Sequence, residues 1–275
     1  MCISVVVCVY NEERRIANLL ETLRWCDDIV VVDKSSTDRT REIAESYGAK
    51  LVVVPYSDML TCEFGHGAAK YEWVLSLTAS DMVHPALAEK IQTLVREKGQ
   101  DYDIIAFPYV VGALGVISPH SPWNYPLKKM LYKKSIAKFQ PVVHKEMVFA
   151  SDKVYWMEPN GEEAVFHLTH QSLDSFFERH IRYNRSEAMN FSSMGRGLLR
   201  SACETVAAIG WMTLVRRTWL LGIDGIALMV AFVTYFLMKF LYVWERFRGK
   251  GDERYEPIRA KIRQAWADSL KAKGL

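Results

Sequence analysis

Ile3-Ser-Val-Val-Val-Cys-Val-Tyr-Asn-Glu-Glu13 decides how the rest of the chain is read. Residues 3–9 are apolar and mostly β-branched, a short run that suits a buried strand. Asn11 then supplies a helix N-cap, and Glu12 and Glu13 place negative charge in the first turn. Ile16, Leu19, Leu20 and Leu23 fall on one helical face. A strand feeding directly into a helix is the first half of a βα unit, and the pattern repeats. Residues 29–32 form a second strand ending at Asp33, Ser36 or Thr37 caps a helix closed by Gly48, and residues 51–54 form a third strand. Residues 73–77 run straight into Thr78-Ala79-Ser80-Asp81. Pro85 and Gly99 bracket a helix with Leu87, Ile91 and Leu94 on its apolar face, and residues 104–111 are the next strand. This alternation predicts an α/β fold with a mainly parallel sheet.

Farther along, Gly112, Gly115, Pro119, Pro122 and Pro126 mark a long loop of the kind a compact domain keeps for function. Residues 130–133 and 142–148 read as short strands covering one face of the sheet. Helical spacing returns over 172–190, with Leu173, Phe176, Phe177 and Ile181 on one side. The expected organisation is an α/β domain over 1–195 and a helical region over 196–275.

Composition narrows the function classes. A chain of 275 residues, 50% hydrophobic, can bury a sizeable core. Its net charge of +3, without basic runs interleaved with aromatics in the first 190 residues, argues against a nucleic-acid partner. Cys2, Cys8, Cys26, Cys62 and Cys203 are odd in number and lack CxxC spacing, which supports neither a disulfide framework nor a zinc site. The N-terminal run lacks a basic flank and a cleavage site, so it reads as a strand rather than a signal peptide.

In open α/β sheets, ligands bind beyond the carboxyl ends of the strands. Residues 9–12, 33–38, 56–58 and 78–81 all fall at such ends and are expected to share one site. A strand of Ile, Val, Val and Val that ends in Asp33 aims a carboxylate into that crevice. The alternative is a simple turn aspartate, just as Asn11 and Asp38 suit helix capping.

The Val9-Tyr-Asn-Glu-Glu13 segment, followed by Val31-Val-Asp33-x-x-Ser-Thr-Asp-x-Thr40, resembles the start of family 2 glycosyltransferases, which have the GT-A fold. The resemblance continues through the Tyr71–Leu77 stretch. It is nearest to small bacterial enzymes related to lipopolysaccharide-core transferases, through Val143-His144-Lys145-Glu146 and Trp244-Glu245. It implies transfer of a sugar, with inversion, from a nucleotide sugar to a glycan or lipid-linked acceptor. Val9, Tyr10, Asn11 and Glu12 would stand on the donor side and Asp33 would accept a hydrogen bond from the base, with a UDP-sugar favoured. The family's Leu-Asp-Ala-Asp-Glu register is here Leu77-Thr78-Ala79-Ser80-Asp81, with hydroxyls at both standard aspartates.

Three outcomes stay open at this altered motif. Mg²⁺ or Mn²⁺ can bind through Asp81, Ser80, the diphosphate and water. Lys34, Lys70 or His66 can stabilise the leaving group without metal. Or the chain is a silent relative acting as a nucleotide- or glycan-binding scaffold. Glu146 is the candidate base, with His144 as support or rival, because the two alternate along a strand. His167 and His170 make no metal set with His144 in the absence of a fixed third ligand.

Residues 219–244 are the most apolar stretch. The run between Asp224 and Lys239 is 14 residues, against about 20 needed to cross a bilayer core. Terminal aromatics and Arg216, Arg217, Arg246, Arg248, Lys250 and Arg254 suit a peripheral or shallowly inserted helix on the cytoplasmic face of the inner membrane. A spanning helix with Lys239 snorkelling, or a homodimer interface, are the alternatives. Residues 249–275 read as a charged surface tail.

Overall fold

The computed structural model describes residues 2–56, 61–123, 125–139 and 147–272. The first unit comprises Met1–Pro119 and Trp123–Gln171, and the second comprises His120–Pro122 and Ser172–Leu275.

In the first unit β1 (Ile3–Val9), α1 (Ile16–Glu21), β2 (Ile29–Asp33), α2 (Thr40–Ser46), β3 (Lys50–Val53), α3 (Thr61–Ala68), β4 (Trp73–Thr78), β5 (Asp81–Val83) and α4 (Pro85–Lys98) follow one another. Next come β6 (Ile104–Ala113), β7 (Val116–Ile117), β8 (Tyr125–Lys133), β9 (Ala137–Phe139), β10 (Met147–Phe149), β11 (Val154–Trp156) and β12 (Val165–Thr169). The main sheet runs β3-β2-β1-β4-β8-β6-β12-β5, with β7 and β11 beside β6; β9 and β10 form a separate pair. The β3-β2-β1-β4 half is parallel, as the βα alternation predicts.

Period-two alternation splits the core between the two faces of the sheet. Val5, Val7, Val31 and Leu75 pack with Leu19 and Leu20 of α1 and Leu87 and Ile91 of α4. Val6, Val30, Val32 and Val74 face the other way with Ala69 and Tyr132. Helix α3, which the sequence pattern does not announce, lies close on that second face. A Cβ at Gly65 would come within 2.4 Å of Val6 Cγ1, so only glycine permits the approach.

Several expectations are corrected. Residues 130–133 do not cover the sheet; they belong to β8, a long strand inserted between β4 and β6 and antiparallel to both. Of 142–148, the described part is Met147 and Val148 in β10, and the rest lies outside the described residues. Asn11 is not a helix cap: it is left-handed at φ 53°, and α1 begins only at Ile16. Neither Ser36 nor Thr37 caps α2, which starts at Thr40 behind Arg39. Asp81 lies in β5, and His84 caps α4 instead, its Nδ1 accepting from Ala86 N at 3.3 Å.

The second unit holds α5 (Leu173–Ala188), α6 (Met194–Gly210), α7 (Gly222–Arg248) and α8 (Gly251–Ala272). Ser172 caps α5 with a reciprocal capping box to Ser175. A π-turn over Trp211–Val215 and a 3₁₀ turn over Thr218–Leu221 join α6 to α7. Lys239 does not interrupt α7. Lys239 is 7% exposed, and its ammonium sits between Glu187 of α5 and Glu204 of α6. The apolar length is therefore underestimated by stopping at Lys239. Met194–Val215 and Thr218–Arg248 are each long and apolar enough to cross a membrane by length and composition.

Candidate active site

The loops at the carboxyl ends of β1 and β2 are tied into one layer by their own polar groups. Thr37 N donates to Asn11 Oδ1 at 2.8 Å, Asn11 N to Ser36 Oγ at 2.9 Å, and Glu12 N to Thr40 Oγ1 at 2.7 Å. Left-handed backbone at Asn11 and Ser35 makes these reversals; Asn tolerates it well, Ser less so. Asp33 is fully buried and accepts from Ser36 N at 2.9 Å and from Ser36 Oγ, with Arg41 Nε at 3.6 Å. Its carboxylate thus braces the turn that follows β2. Beside that turn, the Tyr10 and Tyr56 rings lie 4.4 Å apart, and the Lys34 ammonium stands 5.4 Å from the Tyr56 ring. This places an aromatic face and a cation at the ends of β1, β2 and β3. Val9 is buried in the strand beneath.

A second group centres on Asp81, which is fully buried. Its Oδ2 accepts from Thr78 N at 2.6 Å and Thr78 Oγ1 at 3.1 Å; its Oδ1 accepts from Tyr109 Oη at 3.0 Å and meets His167 Nδ1 at 2.7 Å. Sheet register builds this group. Strand β12 pairs antiparallel with β5, setting His167 opposite Asp81, and parallel with β6, setting His167 opposite Val111. Tyr109 is two residues back on the same face of β6, a diagonal neighbour of His167. A register shift between Pro108 and Tyr109 accompanies the proline, which has no N–H for the ladder. The Tyr109 and His167 rings stack at 5.3 Å, and the Lys128 ammonium covers the Tyr109 ring at 4.1 Å. Burial, with the Asp81 charge adding to it, pushes the Tyr109 hydroxyl well above its usual range, so it stays a donor. Desolvation lowers the Lys128 pKa while Asp81 opposes the shift.

Arg15 joins the two groups. Its guanidinium forks onto the Glu12 carboxylate, and its Nη1 donates to Ser80 Oγ at 2.8 Å. Glu12 and Ser80, both expected at the donor site, are therefore brought together through Arg15, which stands just before α1 and which the sequence pattern does not single out.

The other expected cations are not brought here. Lys70 precedes β4, at the opposite end of that strand from Thr78, with Asp27 at 3.5 Å and the Tyr71 ring at 4.6 Å. His66 is buried against Tyr132, Oη to Nε2 at 2.9 Å, and burial and then Lys134 depress its pKa to about 4, leaving it neutral near pH 7. His144 and Glu146, like Asp58, lie outside the described residues.

The residues present do not fit a divalent cation at the altered motif. Thr78 and Ser80 carry hydroxyls, Ser80 Oγ is engaged by a guanidinium, and both oxygens of the fully buried Asp81 are occupied by donors. Among the described residues no group of three His, Cys, Asp or Glu side chains converges as a ligand set. Asp81 as a metal ligand is thus replaced by Asp81 as the acceptor at the centre of a hydrogen-bonded cluster.

Comparison with known proteins shows the family. The profile described as Glycosyl transferase family 2 matches residues 4–220. A protein described as an uncharacterized glycosyltransferase from Rickettsia bellii is 26% identical, with 81% of this chain and 79% of the relative covered. One from Rickettsia conorii is 25% identical, with 81% and 83% covered. Among solved structures, residues 1–349 of S. aureus TarS superpose with a TM-score of 0.48 at 16% identity, covering 91% of this chain and 92% of that one. The chain belongs to glycosyl transferase family 2 and is a glycosyltransferase with the GT-A arrangement of a largely parallel sheet and flanking helices.

Proposed function

We propose that this family 2 glycosyltransferase moves a sugar from a nucleoside diphosphate sugar, with UDP as the favoured nucleotide, to a glycan or lipid-linked hydroxyl with inversion at the anomeric carbon. The observation that carries it is the Tyr10–Tyr56 ring pair with Lys34 at the ends of β1, β2 and β3. A ring face takes a base by stacking, and an ammonium beside it takes phosphate charge. Expulsion of the diphosphate needs positive charge where the leaving oxygens develop theirs. Lys34 supplies it at the donor loops, while Arg15, paired with Glu12, links those loops to Ser80. Asp33 holds the β2 turn in the shape that presents Lys34.

Transfer at a membrane surface fits the second unit. Exposed apolar side chains on α6, on the π-turn after it and on α7, including Val206, Leu214, Ile223 and Val230, accompany Arg216, Arg217, Arg246 and Arg248 near the helix ends. The protein then works peripherally at the cytoplasmic face of the membrane, where lipid-linked acceptors present their headgroups.

The test is calorimetric titration of the purified full chain with UDP-, GDP- and dTDP-sugars. Binding of a UDP-sugar, weakened by Tyr10→Ala, is expected. Failure to bind any of the three classes sinks the reading.

A further inference from the structure

We propose that His167 is the general base of the transfer and that Asp81 is its positioning residue, an inference that rests on the glycosyltransferase reading above. Asp81 is a carboxylate ringed by four donors, Thr78 N, Thr78 Oγ1, Tyr109 Oη and His167 Nδ1, so its negative charge is held in place and cannot rotate toward another task. A carboxylate oxygen 2.7 Å from Nδ1 fixes the proton on that nitrogen. The imidazole's other nitrogen, Nε2, is then left with its lone pair, the state a base needs.

Orientation is fixed as well as tautomer. The Tyr109 ring stacks on the imidazole, and the backbone pairing of β12 with β5 and β6 holds the residue on both sides. The His167 side chain keeps 19% of its surface open, whereas Asp81 keeps none. Of the two, only the histidine can meet a substrate. The same cluster lies next to Ser80 and Arg15, on the path from the donor loops.

The step balances without an added reagent. The acceptor oxygen forms a bond to the anomeric carbon as its proton passes to His167 Nε2. The bond from that carbon to the diphosphate oxygen breaks, and its electron pair leaves with the nucleoside diphosphate. The imidazolium formed is stabilised by Asp81 and later releases the proton to water.

The experiment uses the full chain with UDP-glucose and UDP-N-acetylglucosamine, water as the acceptor, and UDP release as the readout. His167→Ala is expected to bind UDP within about twofold of wild type while kcat falls about a hundredfold or more. Added imidazole should restore part of the lost rate. Asp81→Asn should lower kcat with little change in KM for the donor. Nitrogen-15 NMR of the wild type should show His167 protonated on Nδ1, and Asp81→Asn should shift the proton to Nε2. Wild-type kcat in His167→Ala, loss of rate in Glu146→Ala alone, or an Nε2-protonated His167 in the wild type would each overturn the proposal. The NMR measurement decides even where a variant fails to fold. Failure of the wild type to bind UDP would instead strike the reading of the donor site.

Discussion

His66 carries a pH dependence that belongs to one residue. It is buried beneath Tyr132 and Phe139, and burial, reinforced by Lys134, lowers its pKa to about 4. Between that value and the ordinary histidine value of about 6.5, the unfolded chain binds a proton that the folded chain refuses. Stability therefore falls as pH drops through this window, by up to about 3 kcal/mol. Urea midpoints at pH 7 and pH 4.5 should fall further apart in wild type than in His66→Gln, and equal spacing in both proteins would overturn this account. The sequence shows a histidine and not its surroundings, so its burial, and not its pattern, separates His66 from the candidate leaving-group cations. Asp81 is the converse case. Its position after a strand was legible, but its partners Tyr109 and His167 lie 28 and 86 residues away and arrive only through sheet register.

At the scale of elements, the βα alternation was legible because each strand and helix carries its period in a few consecutive residues. What periodicity does not encode is which strands become neighbours. Strand β8 was visible in part, yet its insertion between β4 and β6 is set by pairings to residues far apart in sequence, Trp73 to Lys133 and Ile104 to Tyr132. The same limit hid the reason for Lys239. Read alone it breaks an apolar run; in the folded unit it binds Glu187 and Glu204, and Tyr235 Oη donates to Glu187 at 2.9 Å. Removing the ammonium leaves two carboxylates facing each other among apolar helices. Lys239→Met should therefore cost about 3 kcal/mol, discounted toward about 2 because both glutamates keep some solvent contact. The triple variant Lys239→Met, Glu187→Gln, Glu204→Gln should recover much of that loss in thermal unfolding. Equal destabilisation of the single and triple variants would show that the network contributes nothing through its charges.

At the scale of the whole chain, the second unit shows more apolar surface to solvent than its size requires. Leu214, in the π-turn after α6, and Ile223, in the first turn of α7, are each 78% exposed. Helix α8, expected as a merely charged tail, adds a stripe of exposed Tyr255, Ile258, Ile262 and Trp266 at helical spacing and buries none of its residues. Apolar stripes of this extent mark a surface that something covers. Arginines at both ends of the α6–α7 pair favour anionic lipid lying along the helices, since a spanning hairpin would carry Arg216 and Arg217 through the bilayer core. The full chain should float with vesicles containing phosphatidylglycerol, bind phosphatidylcholine vesicles more weakly, and lose anionic-vesicle binding as salt rises. Leu214→Glu with Ile223→Glu should cut vesicle binding about tenfold or more, because each change replaces an inserted apolar side chain with one that anionic headgroups repel. Circular dichroism should stay that of the wild type, since both side chains are already in solvent. Protein that remains in the aqueous fraction with every lipid, and sediments as a dimer that the same substitutions dissociate, would assign the face to a second copy of the chain instead.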